Sequence, residues 1–259
     1  MQKQETLNYE ARFADALVQF TPFAIKSMGL VQGQTSLKLD AYTLACVPYQ
    51  FSMRRAVLAA SLSKDEIVFF QRFQGSLVGL AIAFQRADAR APIKVFCRCQ
   101  LSAVGLMKDR EGVGLVVLDW KPIPPDLAQV LGEHLEFTER LRIEFDDFRD
   151  RRIPINPDSA KRLGYNNYVV MSLGGSQLKL ALFSIAANRL EFLLPMQASD
   201  LEQGAPVLFS LFFLAYRFTV PGKIEAAVRL PTGVQKASAK IDYSPELVHI
   251  LEEYFRYRG

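Results

Sequence analysis

The chain has 259 residues, of which 50% are apolar and 22% are charged. This apolar share excludes intrinsic disorder over most of the chain, because disordered segments combine low hydrophobicity with high charge. The net charge of +4 is too small for the basic stripe of a dedicated nucleic-acid-binding protein. The length fits one large domain or two domains of about 100 to 150 residues each.

Neither a membrane span nor a disulfide framework is predicted. The longest apolar stretch, Val207 to Tyr216, is far shorter than the roughly 18 residues that span a bilayer. Residues 1–6 lack the apolar core of a signal peptide. The three cysteines are an odd number, and Cys97 and Cys99 share one face of a predicted strand, where they can pack as small apolar side chains. We expect a reduced, cytoplasmic protein without a metal site.

The first half of the chain is predicted to be rich in strands. Apolar residues at helical spacing predict a helix within residues 8–24. Short runs rich in β-branched and aromatic residues then predict strands. These strands are Ser36–Leu39, Thr43–Val47, Ala56–Ala60, Glu66–Arg72, Gly79–Phe84, Ile93–Leu101 and Gly114–Leu118. Pro125 then opens a helix with Leu127 and Leu131 on its apolar face, and we place His134 on the surface of this helix.

The second half repeats this order, with strands followed by a helix that opens at Pro245. The predicted strands are Ile153–Ile155, Tyr168–Ser172, Gln177–Ser184, Leu190–Leu194, Val207–Phe213, Lys223–Leu230 and Ala237–Tyr243. Landmarks also recur at a nearly constant offset. The residues Ser61, Ile67 and Phe69 match Ser184, Leu190 and Phe192, and the helix at Pro125 matches the helix at Pro245. This ordered recurrence indicates two related domains.

The predicted fold is therefore mainly β, with two tandem small β-barrels that each end in an α-helix and are joined by a short linker. We place the first domain at residues 1–138, a charged linker at 139–152 and the second domain at 153–259. Apolar residues at 141, 145 and 148 have helical spacing, so the helix of the first domain is expected to continue into the linker.

A cluster of arginines, Arg149, Arg151 and Arg152, lies directly before the first strand of the second domain, and Ser184 ends a later strand. Guanidinium groups bind phosphate in a bidentate manner and match the edge of guanine. With the strand order, this arrangement resembles the PilZ domain, which binds cyclic di-GMP through an R-x-x-x-R segment and a [DN]-x-S-x-x-G segment. The first half is similar to the PilZ-like N-terminal domain of two-domain PilZ proteins.

The resemblance implies a degenerate site for the ligand cyclic di-GMP. Its candidate binding residues are Arg149, Arg151, Arg152, Ser184 and Asn188. Phe148 stands where the first arginine of the motif belongs, Leu182 replaces its acid or amide, and Ala187 replaces its glycine. We therefore expect nucleotide binding to be weak or absent. The alternative is that the arginines are linker charges paired with Asp146, Asp147 and Asp150, and that Ser184 is a core or turn residue.

The resemblance implies a non-enzymatic signalling protein that acts on motility or host adaptation through a protein partner. It would be a cyclic di-GMP effector or a ligand-independent adaptor descended from one, with the linker as a hinge. No acid/base or nucleophile set suggests an enzyme, and no cofactor is predicted. The alternative from a different class is a β-barrel that binds single-stranded nucleic acid by stacking bases on its aromatic side chains.

Overall fold

The computed structural model describes residues 9–86, 90–194, 201–214, 216–230 and 234–256. The chain divides into two compact units, Met1–Phe137 and Thr138–Gly259. Both units are built on antiparallel strands, and helices follow the last strand of each. The predicted mainly β fold is therefore confirmed, with a closed barrel in the second half, whereas the strands described in the first half form one large sheet. In the described part of the chain, no helix combines the length and the apolar character needed to cross a membrane.

The first unit contains one antiparallel sheet of eight strands. The strands are β1 (Val18–Gln19), β2 (Ser36–Leu39), β3 (Tyr42–Ala45), β4 (Val47–Phe51), β5 (Arg55–Ser61), β6 (Leu77–Phe84), β7 (Ile93–Leu106) and β8 (Val113–Trp120). Their order in space is β1-β4-β5-β8-β7-β6-β2-β3. The helices are α1 (Pro22–Met28), α2 (Lys64–Gln71) and α3 (Pro125–Phe148).

Alternating side chains of this sheet form the core of the first unit. Phe51, Leu58 and Leu118 are completely buried. The indole of Trp120 packs edge-to-face on Phe51, with ring centroids 5.5 Å apart, and its Nε1 donates a hydrogen bond to the Ser52 carbonyl at 2.9 Å. On β7, Cys97 and Cys99 lie on the same face of the strand, as predicted. Both are buried in this core as free thiols.

The helix predicted within residues 8–24 is wrong as a single element. Residues 9–12 are helical, Val18–Gln19 pairs with β4, and α1 begins only at Pro22. Proline has no N–H group and fits the first turn of a helix but not its interior. The Thr21 side chain accepts a hydrogen bond from the Ala24 N–H at 3.2 Å and caps the new helix.

The strand predicted at Glu66–Arg72 is also wrong, because residues 66–71 belong to α2 and Arg72 is its C-cap. Ser63 Oγ accepts from the Glu66 N–H at 3.2 Å, and Glu66 Oε2 accepts from the Ser63 N–H at 2.8 Å. This reciprocal capping box satisfies two N–H groups at the start of the helix. The proposed match of Ile67 and Phe69 with two β-strand residues of the second half therefore fails.

The surface position predicted for His134 is wrong as well. The imidazole is buried, and its Nδ1 lies 2.8 Å from Ser27 Oγ. Burial lowers the pKa of His134 to about 4. The imidazole is therefore neutral at physiological pH and joins α1 to α3 through one hydrogen bond.

The second unit is a closed barrel. Its strands are β9 (Ile153–Pro154), β10 (Tyr165–Leu173), β11 (Ser176–Ala186), β12 (Arg189–Leu194), β13 (Pro206–Phe213), β14 (Arg217–Arg229) and β15 (Gln235–Ile241). The order is β10-β13-β14-β15-β12-β11, and β10 also pairs with β11, which closes the six strands. The short β9 pairs with β11 outside this ring. Phe192 and Phe209 fill the interior with ring centroids 5.5 Å apart.

In its described residues, this unit contains the C-terminal part of α3 and two further helices. The predicted continuation of the first-domain helix into the linker is confirmed, since α3 extends to Phe148, with Leu141 and Phe148 buried. The final helix, α5 (Pro245–Arg256), begins at the predicted proline. The sequence analysis missed α4 (Pro157–Leu163), which Asn156 caps by accepting from the Ser159 N–H at 2.9 Å.

The capping box of α2 generates the first prediction. Ser63→Ala should lower the free energy of unfolding of the first unit by about 1 kcal/mol, because one helix N–H loses its partner. Urea denaturation followed by tryptophan fluorescence isolates this unit, since Trp120 is the chain's single tryptophan. The control is Ser61→Ala, an exposed strand residue that should change stability by less than about 0.5 kcal/mol. Equal effects of the two variants would contradict the capping role.

Candidate functional site

Strand pairing brings two of the predicted ligand residues together on the barrel of the second unit. Ser184 on β11 faces Pro154 of β9 on one side and Glu191 of β12 on the other. Arg152 directly precedes β9, so its side chain starts beside the same part of the wall. The site is thus assembled by the two strands of the β11–β12 hairpin and by the segment at β9, which lies much earlier in the sequence.

The carboxylate of Glu191 is the centre of this site. Arg152 Nη1 donates to Glu191 Oε1 at 2.9 Å, and Lys236 Nζ lies 3.1 Å from Glu191 Oε2. Ser184 lies directly opposite Glu191 in the strand register, and its hydroxyl favours the ionised form of this carboxylate. The Glu191 side chain is 10% exposed, whereas the Arg152 side chain is 52% exposed. One buried anion therefore holds two cations and one hydroxyl.

The balance of these contacts sets the charge state of Glu191. Burial raises the pKa of the carboxyl, but the contacts with Lys236, Ser184 and Arg152 outweigh burial, and the pKa is lowered from its ordinary value of 4.5. Glu191 is therefore ionised at neutral pH. Its contacts stabilise the folded unit above the ordinary glutamate pKa, and this contribution is lost as the pH falls through the lowered pKa.

Lys236 has a second contact that fixes its position. Its Nζ lies 4.0 Å from the centroid of the Phe183 ring, an arrangement typical of a cation–π interaction. Phe183 is 47% exposed. The ammonium group is therefore held between an acidic and an aromatic side chain at the surface of the barrel.

The other two predicted arginines lie away from this carboxylate. Arg149 Nη2 is 3.5 Å from Asp146 Oδ1, the acid three residues earlier in the chain. The Arg151 guanidinium lies over the Phe255 ring, 4.2 Å from its centroid, and 5.7 Å from the centroid of Phe148. Arg149 thus has one of the acidic partners that the linker interpretation names, whereas Arg151 stacks on aromatic rings.

The residues at the remaining motif positions are buried in the second unit or form one of its turns. Leu182, in the acid or amide position, is 5% exposed, and Ala187, in the glycine position, is completely buried. Phe148, in the position of the first arginine, is 9% exposed. Asn188 forms the turn between β11 and β12, and its carbonyl accepts from the Ile241 N–H at 2.9 Å. Asn188 has no positive φ, so its backbone does not take over the left-handed conformation that a glycine in this segment could adopt.

Sequence reasoning missed Glu191 and Lys236. A usable signal was present, because Glu191 lies between Leu190 and Phe192 in a short apolar strand, where an acid needs a partner. The sequence could not name that partner, since Lys236 comes from a strand more than 40 residues later.

At this site, the charges of Arg152 and Lys236 are both paired with the Glu191 carboxylate. A phosphate at Arg152 would compete with this ion pair. Among the described residues, no group of three or more His, Cys, Asp or Glu side chains is placed to hold a metal ion.

Comparison with known proteins identifies the first unit. The PilZN3 domain model matches residues 4–138. No curated protein sequence matches the chain at a significant level.

Several solved structures resemble the chain over most of its length. The PlzA protein of Borreliella burgdorferi, solved in complex with c-di-GMP, is 15% identical, with a TM-score of 0.49 over 98% of this chain and 100% of that chain. YcgR of Escherichia coli, also solved with c-di-GMP, is 12% identical, with a TM-score of 0.31 over 93% and 91%. The Bacillus subtilis inhibitor of motility (MotI/DgrA) is 8% identical, with a TM-score of 0.32 over 89% and 98%.

The contacts of Glu191 generate the second prediction. In a pH titration followed by NMR of side-chain carboxyl carbons, the pKa of Glu191 should lie below 4.5, and Lys236→Met should raise it. The cause is the loss of an ion pair and a hydrogen bond that favour the ionised form. The control is Lys240→Met on the same strand, which should leave the pKa of Glu191 unchanged. An unchanged pKa in Lys236→Met would show that burial and the other partners set the value alone.

Proposed function

This chain belongs to the PilZN3 domain family, and from this premise we propose that it is a non-enzymatic PilZ signalling protein that acts as a ligand-independent adaptor. Its second unit is a closed barrel, as expected of a PilZ domain, but this barrel does not bind cyclic di-GMP. Its output is contact with a protein partner.

The observation that carries this proposal is the occupation of Arg152 and Ser184 by Glu191. These two predicted ligand residues lie side by side on the barrel: Arg152 is bound to the Glu191 carboxylate, and Ser184 lies directly opposite Glu191. A nucleotide phosphate at Arg152 would leave the buried Glu191 with fewer partners, and an underpaired buried charge is strongly unfavourable.

The replaced motif residues support the same conclusion. Leu182, Phe148 and Ala187 are buried in the second unit, so the acid, arginine and glycine that they replace have no substitute at those positions. A hydrogen bond to a charged group contributes about 1.5 to 3 kcal/mol. Two missing groups would together weaken binding by about 150-fold to 20,000-fold, which removes a micromolar site from the physiological range.

The environment of the cysteines supports a cytoplasmic location. Cys46, Cys97 and Cys99 are unpaired and buried, as expected in a reducing compartment. The resemblance to PilZ proteins directs the search for a partner to components of motility and host adaptation.

Isothermal titration calorimetry with cyclic di-GMP tests the proposal. At about 100 µM free ligand, a site with a dissociation constant of about 10 µM would be roughly 90% occupied. We expect no measurable heat of binding for the wild-type chain. Escherichia coli YcgR, which was solved with c-di-GMP, serves as the positive control for the ligand.

The result that would overturn the proposal is low-micromolar binding that Arg152→Ala abolishes. Arg142→Ala is the matched control, because Arg142 is an exposed arginine of the same unit that lies over Tyr243. Binding lost in Arg152→Ala and kept in Arg142→Ala would make the chain a cyclic di-GMP effector.

A further inference from the structure

The outer face of the first-unit sheet carries a groove along β6. Successive outward positions of this strand are Leu77, Gly79 and Ala81, so a large side chain is followed by two small ones. The neighbouring strands β2 and β7 are hydrogen-bonded to β6 on either side. Adjacent strands lie about 4.8 Å apart, which places the two walls about 10 Å from each other.

The strand register defines which side chains face each other across the floor. Gly79 lies between Lys38 of β2 and Arg98 of β7. Ala81 lies between Ser36 of β2 and Phe96 of β7. These residues line a single cavity of about 640 Å³, and Phe96 is 74% exposed beside it.

The charge of the groove is entirely positive. Lys38 and Arg98 are exposed lining residues, and no acidic residue contributes to the lining. Within the described ranges, neither side chain has an ion-pair or hydrogen-bond partner. Two cations without a partner among the described residues, together with an exposed phenylalanine, therefore border an apolar floor.

We propose that this groove binds an acidic segment of a partner protein that inserts an apolar side chain over Gly79 and Ala81. The inference rests on the proposed adaptor function and names the site and the chemistry of its partner. Carboxylates of the segment would pair with Lys38 and Arg98, while its apolar residue packs against Phe96.

The shape and composition of the groove favour a peptide segment over a flat anionic surface. The floor is recessed between two walls, whereas a lipid surface would contact the wall side chains without filling the recess. Exposed aromatic and arginine side chains around an apolar centre are also typical of protein–protein contact sites.

Gly79 allows the groove to be filled without disturbing the sheet. Its φ is not positive, and a Cβ built on it meets only Lys38 Cβ, at 4.0 Å. Gly79→Val should therefore fold and block the floor. Gly105→Val is the matched control, since Gly105 lies on β7, has no positive φ and has nothing within 4 Å of a built Cβ.

The experiment is a selection of phage-displayed random 12-residue peptides on the full chain, followed by fluorescence anisotropy with the selected synthetic peptides. We expect peptides that combine acidic residues with a bulky apolar residue. Gly79→Val and Phe96→Ala should weaken their binding about tenfold or more, and Gly105→Val should not. Arg98→Glu should also weaken binding, whereas Arg72→Glu, an exposed arginine outside the groove, should not.

Three results would overturn the inference. They are selected peptides without acidic residues, binding that neither Gly79→Val nor Phe96→Ala weakens, and anionic vesicles binding the chain when no peptide is selected. A dimer in analytical ultracentrifugation that Gly79→Val dissociates would assign the groove to a second copy of the chain instead. Calorimetry with cyclic di-GMP on the same samples tests the adaptor proposal separately, so the two failures remain distinguishable.

Discussion

The Glu191 carboxylate is the constraint on which the chemistry of the second unit depends. It binds Arg152, Lys236 and Ser184 at one place on the barrel wall. A buried carboxylate must be paired, because an isolated charge in the interior is very unfavourable. The same requirement that holds this acid inside the fold therefore engages Arg152 and Ser184, two of the residues that the PilZ resemblance assigns to a nucleotide.

Much of the fold could be predicted from the sequence, because alternation of apolar residues identifies strands wherever one face is buried. Prediction from alternation failed where local chemistry decides the secondary structure. At Glu66–Arg72, the capping residue Ser63 and the burial of Ile67 and Phe70 produce a helix from a run that also has β-propensity. The single helix predicted within residues 8–24 failed for a similar reason, because Pro22 begins a helix instead of continuing one.

The candidate site was less predictable than the fold, for a physical reason. Sequence motifs locate Arg152 and Ser184, but they do not show which neighbouring strand supplies their partners. Glu191 reaches them through the local β11–β12 hairpin, whereas Lys236 reaches them through the pairing of β12 with β15, a strand that comes much later in the chain. The groove on the first unit could not be predicted for the same reason. Lys38, Gly79 and Arg98 become neighbours only through the register of three strands.

The most direct test of this account is a crystal structure of the full chain grown with excess cyclic di-GMP. The account predicts that Arg152 and Lys236 remain bound to Glu191, with Ser184 on the same carboxylate and no nucleotide beside them. A nucleotide phosphate on Arg152, with Glu191 released from it, would contradict the account.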